Sequence, residues 1–298
     1  MTRIAKVTAA SVQNPPAVIR VGPSLIAQSE RFHLRSSIIG ETYVIDIARP
    51  LAPAVPGRSR PVIYVLDGNS LFALTCQISR LLEIGSDAIP AAVVVGIGYP
   101  TDDSLEGHQR RRALRLRDFT PTADEAYWHR KFSGVAPLDL SLESHTGGAS
   151  RFGAFIREEL LPFVHSELQA ETRDQTLVGM SLGGLFALHT FFTHPSMFTR
   201  WITVSPSIWW NGRALLDTEA TIGSQTTHVS ARLFISEGGA EEPETRLNIL
   251  ELLHRIRNER YPNLMLSHHE FPEETHQSIF PAAVGRGLRF VFKESDHS

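Results

Sequence analysis

The pentapeptide Gly179-Met180-Ser181-Leu182-Gly183, with Gly184 following, sets a serine between glycines. A serine at this spacing can be a nucleophile held on a sharp strand-to-helix turn, its hydroxyl lifted to the carboxyl end of a sheet. Glycines two positions before and two after keep side chains out of the crossing between strand and helix. The flanks supply that setting, because TLVG (176–179) reads as a strand and GGLFALHTFF (183–192) as an apolar helix. The bland alternative, glycines for close packing beside an idle serine, loses ground to that context.

A serine needs a base to take its proton. On a strand–turn–helix elbow the partners follow in the order serine, acid, histidine. His189 and His194 are too local to the serine, His228 precedes a strand, and His254 lies mid-helix. His268 and His269 are strand neighbours pointing to opposite faces. His276, in PEETHQSIF, follows the last strand and precedes the last helix, where a loop returns to the carboxyl edge. It is the expected base. The acid belongs on the loop EGGAEEPE (237–244), where Glu237 ends a strand and Glu244 starts a helix. Glu241 and Glu242 remain, and a plainly solvated acidic loop competes with both.

The oxyanion formed by such an attack needs backbone donors. The Leu182 N–H follows the nucleophile directly, and Asp67-Gly68-Asn69, after an earlier strand, offers the Asn69 N–H. Asp67 itself reads as a turn or capping residue. No metal or organic cofactor is called for, since His268-His269 diverge and have no placed carboxylate partner.

These residues need a scaffold, and the chain writes one. VIYVL (62–66) and AAVVVGIG (91–98) are continuously apolar, as strands covered on both faces are. ETYVIDIA (41–48) alternates, as an edge or antiparallel strand does. WITVS (201–205), ARLFIS (231–236) and LMLSHHEF (264–271) are further strands. Helical spacing recurs after Asn69, over 151–168, over 243–259 and over 280–292. Such alternation predicts an α/β fold, a mainly parallel sheet flanked by helices, in a single domain over 1–298. Residues 1–30 read as an arm over the surface. Residues 99–149 are too long and polar for a simple connection and read as a lid-like excursion over one end of the sheet.

Composition bounds the rest. The 298 residues carry a formal net charge of -3, which gives no reason to expect a nucleic-acid surface. A single cysteine, Cys76, excludes an intrachain disulfide framework and a cysteine-based metal cluster. No stretch approaches the ~20 apolar residues of a membrane span. MTRIAKVTAASVQNPPAVIR at the N-terminus lacks the apolar run of a signal peptide, so a soluble cytoplasmic protein is expected.

Taken in order, YVLDGNSLF, GYP followed by RRRALRLRDFTPT, GGASRFGAFIREELLPFV, LVGMSLGGLFAL, SPSIWW and THQSIF resemble the esterase family of α/β-hydrolases. The branch they resemble is that of the ferric-enterobactin and salmochelin siderophore esterases, over about Phe32 to Phe292. The resemblance implies the α/β-hydrolase fold, Ser181 as nucleophile, His276 as base, and Asn69 and Leu182 as oxyanion donors. The family's loop glutamate precedes a proline, which implies Glu242 as the acid; some members work with a Ser–His dyad. The periplasmic members carry a signal peptide, and this chain departs from them there.

The excursion carries Arg110, Arg111, Arg112, Arg115 and Arg117. Guanidinium forks suit carboxylates and catecholates, and tryptophans offer flat walls for aromatic rings. Arg112, Arg117 and Trp209 are therefore expected to bind a small-molecule ester, of the siderophore type by the resemblance. A solvated arginine face and core tryptophans are the competing account. A general carboxylesterase or thioesterase would differ only in its acyl pocket. A binding module on a hydrolase scaffold would have lost the serine, the histidine or the oxyanion glycine, and none is lost.

Overall fold

The computed structural model describes residues 26–52, 60–86, 88–132, 145–168, 173–222, 230–257 and 261–293. Its strands are β1 (Ser29–Arg35), β2 (Thr42–Ala48), β3 (Val62–Val65), β4 (Val93–Gly98), β5 (Gln175–Met180), β6 (Arg200–Val204), β7 (Ala231–Gly238) and β8 (Leu264–Phe271). They form an 8-stranded sheet in the order β1-β2-β4-β3-β5-β6-β7-β8. β2 runs antiparallel to β1 and to β4, and every other neighbouring pair is parallel. The mainly parallel sheet expected from the alternation is present, and ETYVIDIA is antiparallel as its pattern suggested.

Helices cover both faces. α1 (Gly68–Ser86) and the last helix, α9 (Phe280–Phe292), pack on one side, around Val65, Val178, Ile202 and Phe234. The other side is closed by α2 (Leu105–Phe119), α4 (Ala149–Phe155), α5 (Leu161–Leu168), α6 (Leu182–Thr193) and α8 (Pro243–Arg257), over Tyr43, Tyr64, Leu177 and Ile235. The short α3 is Glu125–Lys131 and α7 is Trp210–Ile222. The helix expected over 151–168 is interrupted by one π-helical turn, Ile156–Leu160, where Glu159 turns aside to accept from Ser36 and Ser37. Among the described residues no helix is long and apolar enough to cross a membrane.

Four elements were not expected: β1, α2, α3 and α7. β1 begins within the last two residues of the arm expected over 1–30 and runs on to Arg35, and residues 1–25 of that arm fall outside the described residues. α7 opens on three residues with positive φ, Asn211, Gly212 and Arg213, so its first turn is kinked. Within 99–149 the chain forms α2 and α3 before residues 133–144, which lie outside the described residues.

A buried ionic cluster fastens α2 to the sheet. Asp118 accepts from Arg117 Nε at 2.6 Å, Tyr43 Oη at 2.8 Å and Tyr99 Oη at 3.1 Å. Tyr43 belongs to β2, and Tyr99 follows β4 directly. The excursion is thus tied to β2 and the end of β4, near one edge of the sheet, by a residue that is 1% exposed.

Candidate active site

Ser181 leaves β5 at φ 59°, ψ -120°, and α6 begins at the next residue. Positive φ in a serine is costly and persists only where its surroundings enforce it. Here the Ser181 N–H donates to Val204 O at 2.9 Å, and the Ser181 carbonyl accepts from Leu185 and Ser207 N–H groups. The glycine logic of the motif holds in a sharpened form. A Cβ at Gly179 would lie 2.2 Å from Gly183 O, whereas one at Gly183 would meet only ordinary contacts. Close approach is therefore needed on the strand side of the crossing.

His276 sits on the connection between β8 and α9. Its Nδ1 is 2.8 Å from Glu241 Oε2. The structure brings Glu241, and not Glu242, to the imidazole: Glu241 has a side chain only 4% exposed, while Glu242 faces solvent. The reason is in the turn after β7. Gly239 N–H donates to Phe271 O and Ala240 N–H to Glu274 O, zipping the acidic loop onto the histidine loop. The Glu242 carbonyl accepts from Thr245 N–H, which turns that residue outward at the start of α8. A side chain at Gly238 would lie 2.2 Å from Glu274 O, so Gly238-Gly239 is the sequence signal for this approach. Glu241 Oε1 accepts from the Ser205 hydroxyl and from Gly238 N–H at 2.8 Å. Burial alone pushes this carboxyl up, but the bonds from His276, Ser205 and Gly238 outweigh it and hold Glu241 below the usual carboxylate range.

Asn69 is fixed by its own side chain. Its Nδ2 donates to Tyr99 O at 2.9 Å and its Oδ1 accepts from Tyr99 N–H at 2.8 Å. The Ser70 and Leu71 N–H groups both go to Asp67 O, and the Asn69 N–H sits in the first turn of α1, where no intrahelical acceptor reaches. Leu182 N–H has the same standing at the start of α6. Asp67, at φ 56°, makes the turn expected of it, and its carboxylate also receives Arg115 Nε at 2.6 Å. Arg115 donates in addition to Met180 O at 3.2 Å, so it ties the Asp67 turn to the residue before Ser181.

Two adjoining cavities, each of about 430 Å³, share Ser181, His276, Arg112 and Arg115 in their walls. The first is completed by Asn69, His108 and Arg111, and the second by Tyr127, Lys131, Phe132 and Trp209. Arg112 and Trp209 thus stand where substrate contact was expected. Arg117 does not: it is 6% exposed and spends its guanidinium on Asp118, Tyr43 and Glu41. Helical spacing explains the difference. His108, Arg111, Arg112 and Arg115 recur at i, i+3, i+4 and i+7, whereas Arg117, two residues beyond Arg115, lies on the opposite face of α2. Arg111 and Arg115, members of the same arginine cluster but not among the expected substrate contacts, also line the cavities.

Of the other histidines, His268 binds the buried Glu237 across β7 and β8, with Nε2 2.8 Å from Oε2. His189 is buried on α6, which pushes its imidazole down to about 4. Among the described residues no group of three or more His, Cys, Asp or Glu could hold a metal ion.

The family model named Esterase matches residues 141–277. The chain is 34% identical to the ferri-bacillibactin esterase BesA of Bacillus subtilis, over 84% of this chain and 84% of that one. It is 32% identical to a siderophore enterobactin esterase of Emericella nidulans, over 84% of this chain and 89% of that one. Among solved structures, the BES protein from Bacillus cereus superposes with a TM-score of 0.79 at 30% identity, covering 94% of this chain and 100% of that one. The eight-stranded sheet, the serine elbow at its carboxyl edge and these likenesses lead to one conclusion: the chain belongs to the esterase family, as a serine hydrolase of carboxylic ester bonds with the α/β-hydrolase fold.

Proposed function

We propose that this chain opens the ester linkages of an anionic, iron-chelating siderophore, with Ser181 as nucleophile, His276 as base and Glu241 as the acid that orients it. The observation that carries the reading is a cavity shared by Ser181 and His276 whose wall includes Arg111, Arg112 and Arg115. Ferric tris-catecholates are strongly anionic, and guanidinium groups suit catecholate oxygens. The Tyr127, Phe132 and Trp209 rings offer apolar faces to aromatic rings on the other side. The named relatives act on such compounds, ferri-bacillibactin and enterobactin.

In this mechanism Ser181 Oγ attacks the ester carbonyl while His276 Nε2 takes its proton. The amides of Asn69 and Leu182 hold the oxyanion. His276 gives the proton to the departing alcohol, then activates a water that frees the acyl group from Ser181. Glu241 fixes the imidazole through Nδ1 and stabilises the imidazolium.

The reading is tested by incubating the purified chain with an iron-loaded tri-catecholate lactone and with nitrophenyl esters of graded chain length. Ring opening of the lactone is expected, slowing as salt screens the arginines. Cleavage of simple acyl esters with the lactone untouched overturns the siderophore part. The choice of acid has its own test. Glu241→Gln should lower kcat by about 10²–10³-fold, within the usual range for a disturbed acid–base relay, and Glu242→Gln should stay within about twofold, as an exposed surface change does. The reverse ranking, read from initial rates on one ester, would return the role to Glu242.

A further inference from the structure

Ser205 directly follows β6 with φ 46°, a left-handed backbone that serine rarely adopts, and it is 1% exposed. Its N–H donates to Ser236 O at 2.7 Å, which keeps the strained residue in the ladder with β7. Its hydroxyl donates to Glu241 Oε1, the oxygen that also takes Gly238 N–H at 2.8 Å. One carboxylate oxygen is thus held by two donors, and the other is left aimed at His276 Nδ1 at 2.8 Å. Two residues on, Ser207 Oγ lies 3.3 Å from Ser181 Oγ, and the Ser207 N–H donates to Ser181 O at 3.1 Å. Pro206 between them sits against the helix, where a Cβ at Gly184 would come within 3.1 Å of it. The segment 205–207 therefore touches the nucleophile at one end and the acid at the other.

We infer that Ser205 is a positioning residue, whose buried hydroxyl fixes the Glu241 carboxylate so that its free oxygen orients His276. This rests on the proposed roles of Ser181, His276 and Glu241. Ser205 touches neither substrate nor reacting atoms; it acts through Glu241 alone. Observed strain at a buried non-glycine residue is the kind that persists at a functional site, and here the strained backbone is what turns the hydroxyl toward the carboxylate.

The test compares Ser205→Ala, Ser205→Gly, Glu241→Gln and the double variant Ser205→Ala/Glu241→Gln on one hydrolysed ester. Loss of a hydrogen bond to a charged group predicts a fall in kcat of about tenfold with KM unchanged for Ser205→Ala. Glycine accepts positive φ, so Ser205→Gly should lose the same activity with a smaller fall in Tm than Ser205→Ala. In the Glu241→Gln background the Ser205→Ala change should cost under about twofold, because partners in one network are not additive. Equal losses in both backgrounds, or wild-type kcat in Ser205→Ala and Ser205→Gly while Glu241→Gln is slow, overturn the proposal and leave the triad standing. Wild-type activity in Glu241→Gln overturns the role of Glu241 first, and this proposal with it.

Discussion

Ser181→Ala should lower ester turnover by about 10⁴–10⁶-fold, the range seen when the nucleophile of a serine hydrolase is removed. The attacking oxygen is lost, and the residual rate comes from oxyanion donors and binding alone. Those parts are independent of the substituted side chain. Asn69 is held by its clamp on Tyr99, and Arg112 and Arg115 remain in the wall shared by the two cavities. Substrate affinity should therefore survive while kcat collapses. A fluorophosphonate probe should label wild type and leave the alanine variant unlabelled. The nearest competing hydroxyl is that of Ser207, 3.3 Å away. Peptide mapping of the labelled wild type distinguishes the two, and a label on Ser207 would overturn the assignment.

Asp118→Ala should destabilise the fold by about 3–5 kcal/mol, as breaking one half of a buried ion pair does. The Asp118 carboxylate receives Arg117 Nε and both the Tyr43 and Tyr99 hydroxyls, and each of these groups is buried. Without it the guanidinium keeps Glu41 at 3.5 Å as its carboxylate partner, and two tyrosine hydroxyls lose their acceptor. In a thermal melt the loss corresponds to a Tm lower by roughly 10 °C. By contrast, Glu158→Ala removes an exposed partner of Arg157 and should move Tm by about a degree or less. An Asp118→Ala variant melting with wild type would show that the cluster does not anchor α2. Since α2 also carries Arg112 and Arg115, KM in the surviving folded fraction should rise.

The sheet was legible because its strands are short apolar runs, each bounded by turn residues. VIYVL, AAVVVGIG and WITVS could hardly be anything else. β1, SERFHLR, carries its packing on Phe32 and Leu34 alone, and an edge strand with one inward apolar pair leaves no run to detect. α7 was missed because its first turn is not helical, and a kinked start has no period. Chain order and context single out Ser181 and His276, and the structure sets both in the walls of the same two cavities. Which glutamate lies against His276 is not legible, because Glu241 and Glu242 differ by one position, and the turn that chooses between them is a matter of backbone bonds to Phe271 and Glu274 far along the chain. Arg117 shows the opposite lesson. Its face of the helix was already fixed by its spacing from Arg112 and Arg115, and charge alone drew attention to it.

Strand order in the sheet also differs from the order in which the chain is made. β3 lies between β4 and β5, with Tyr64 opposite Val95 on one side and Leu177 on the other. That second pairing joins segments more than a hundred residues apart, the kind of contact that slows folding. Synthesis delivers Ser181 first, the Glu241 turn next and His276 last, after β8. With His276 as the proposed base, a nascent chain carries Ser181 before the histidine that would take its proton. On the proposed roles, hydrolytic competence would then be complete only once the segment after β8 has been made, and chains truncated before His276 should show no ester turnover.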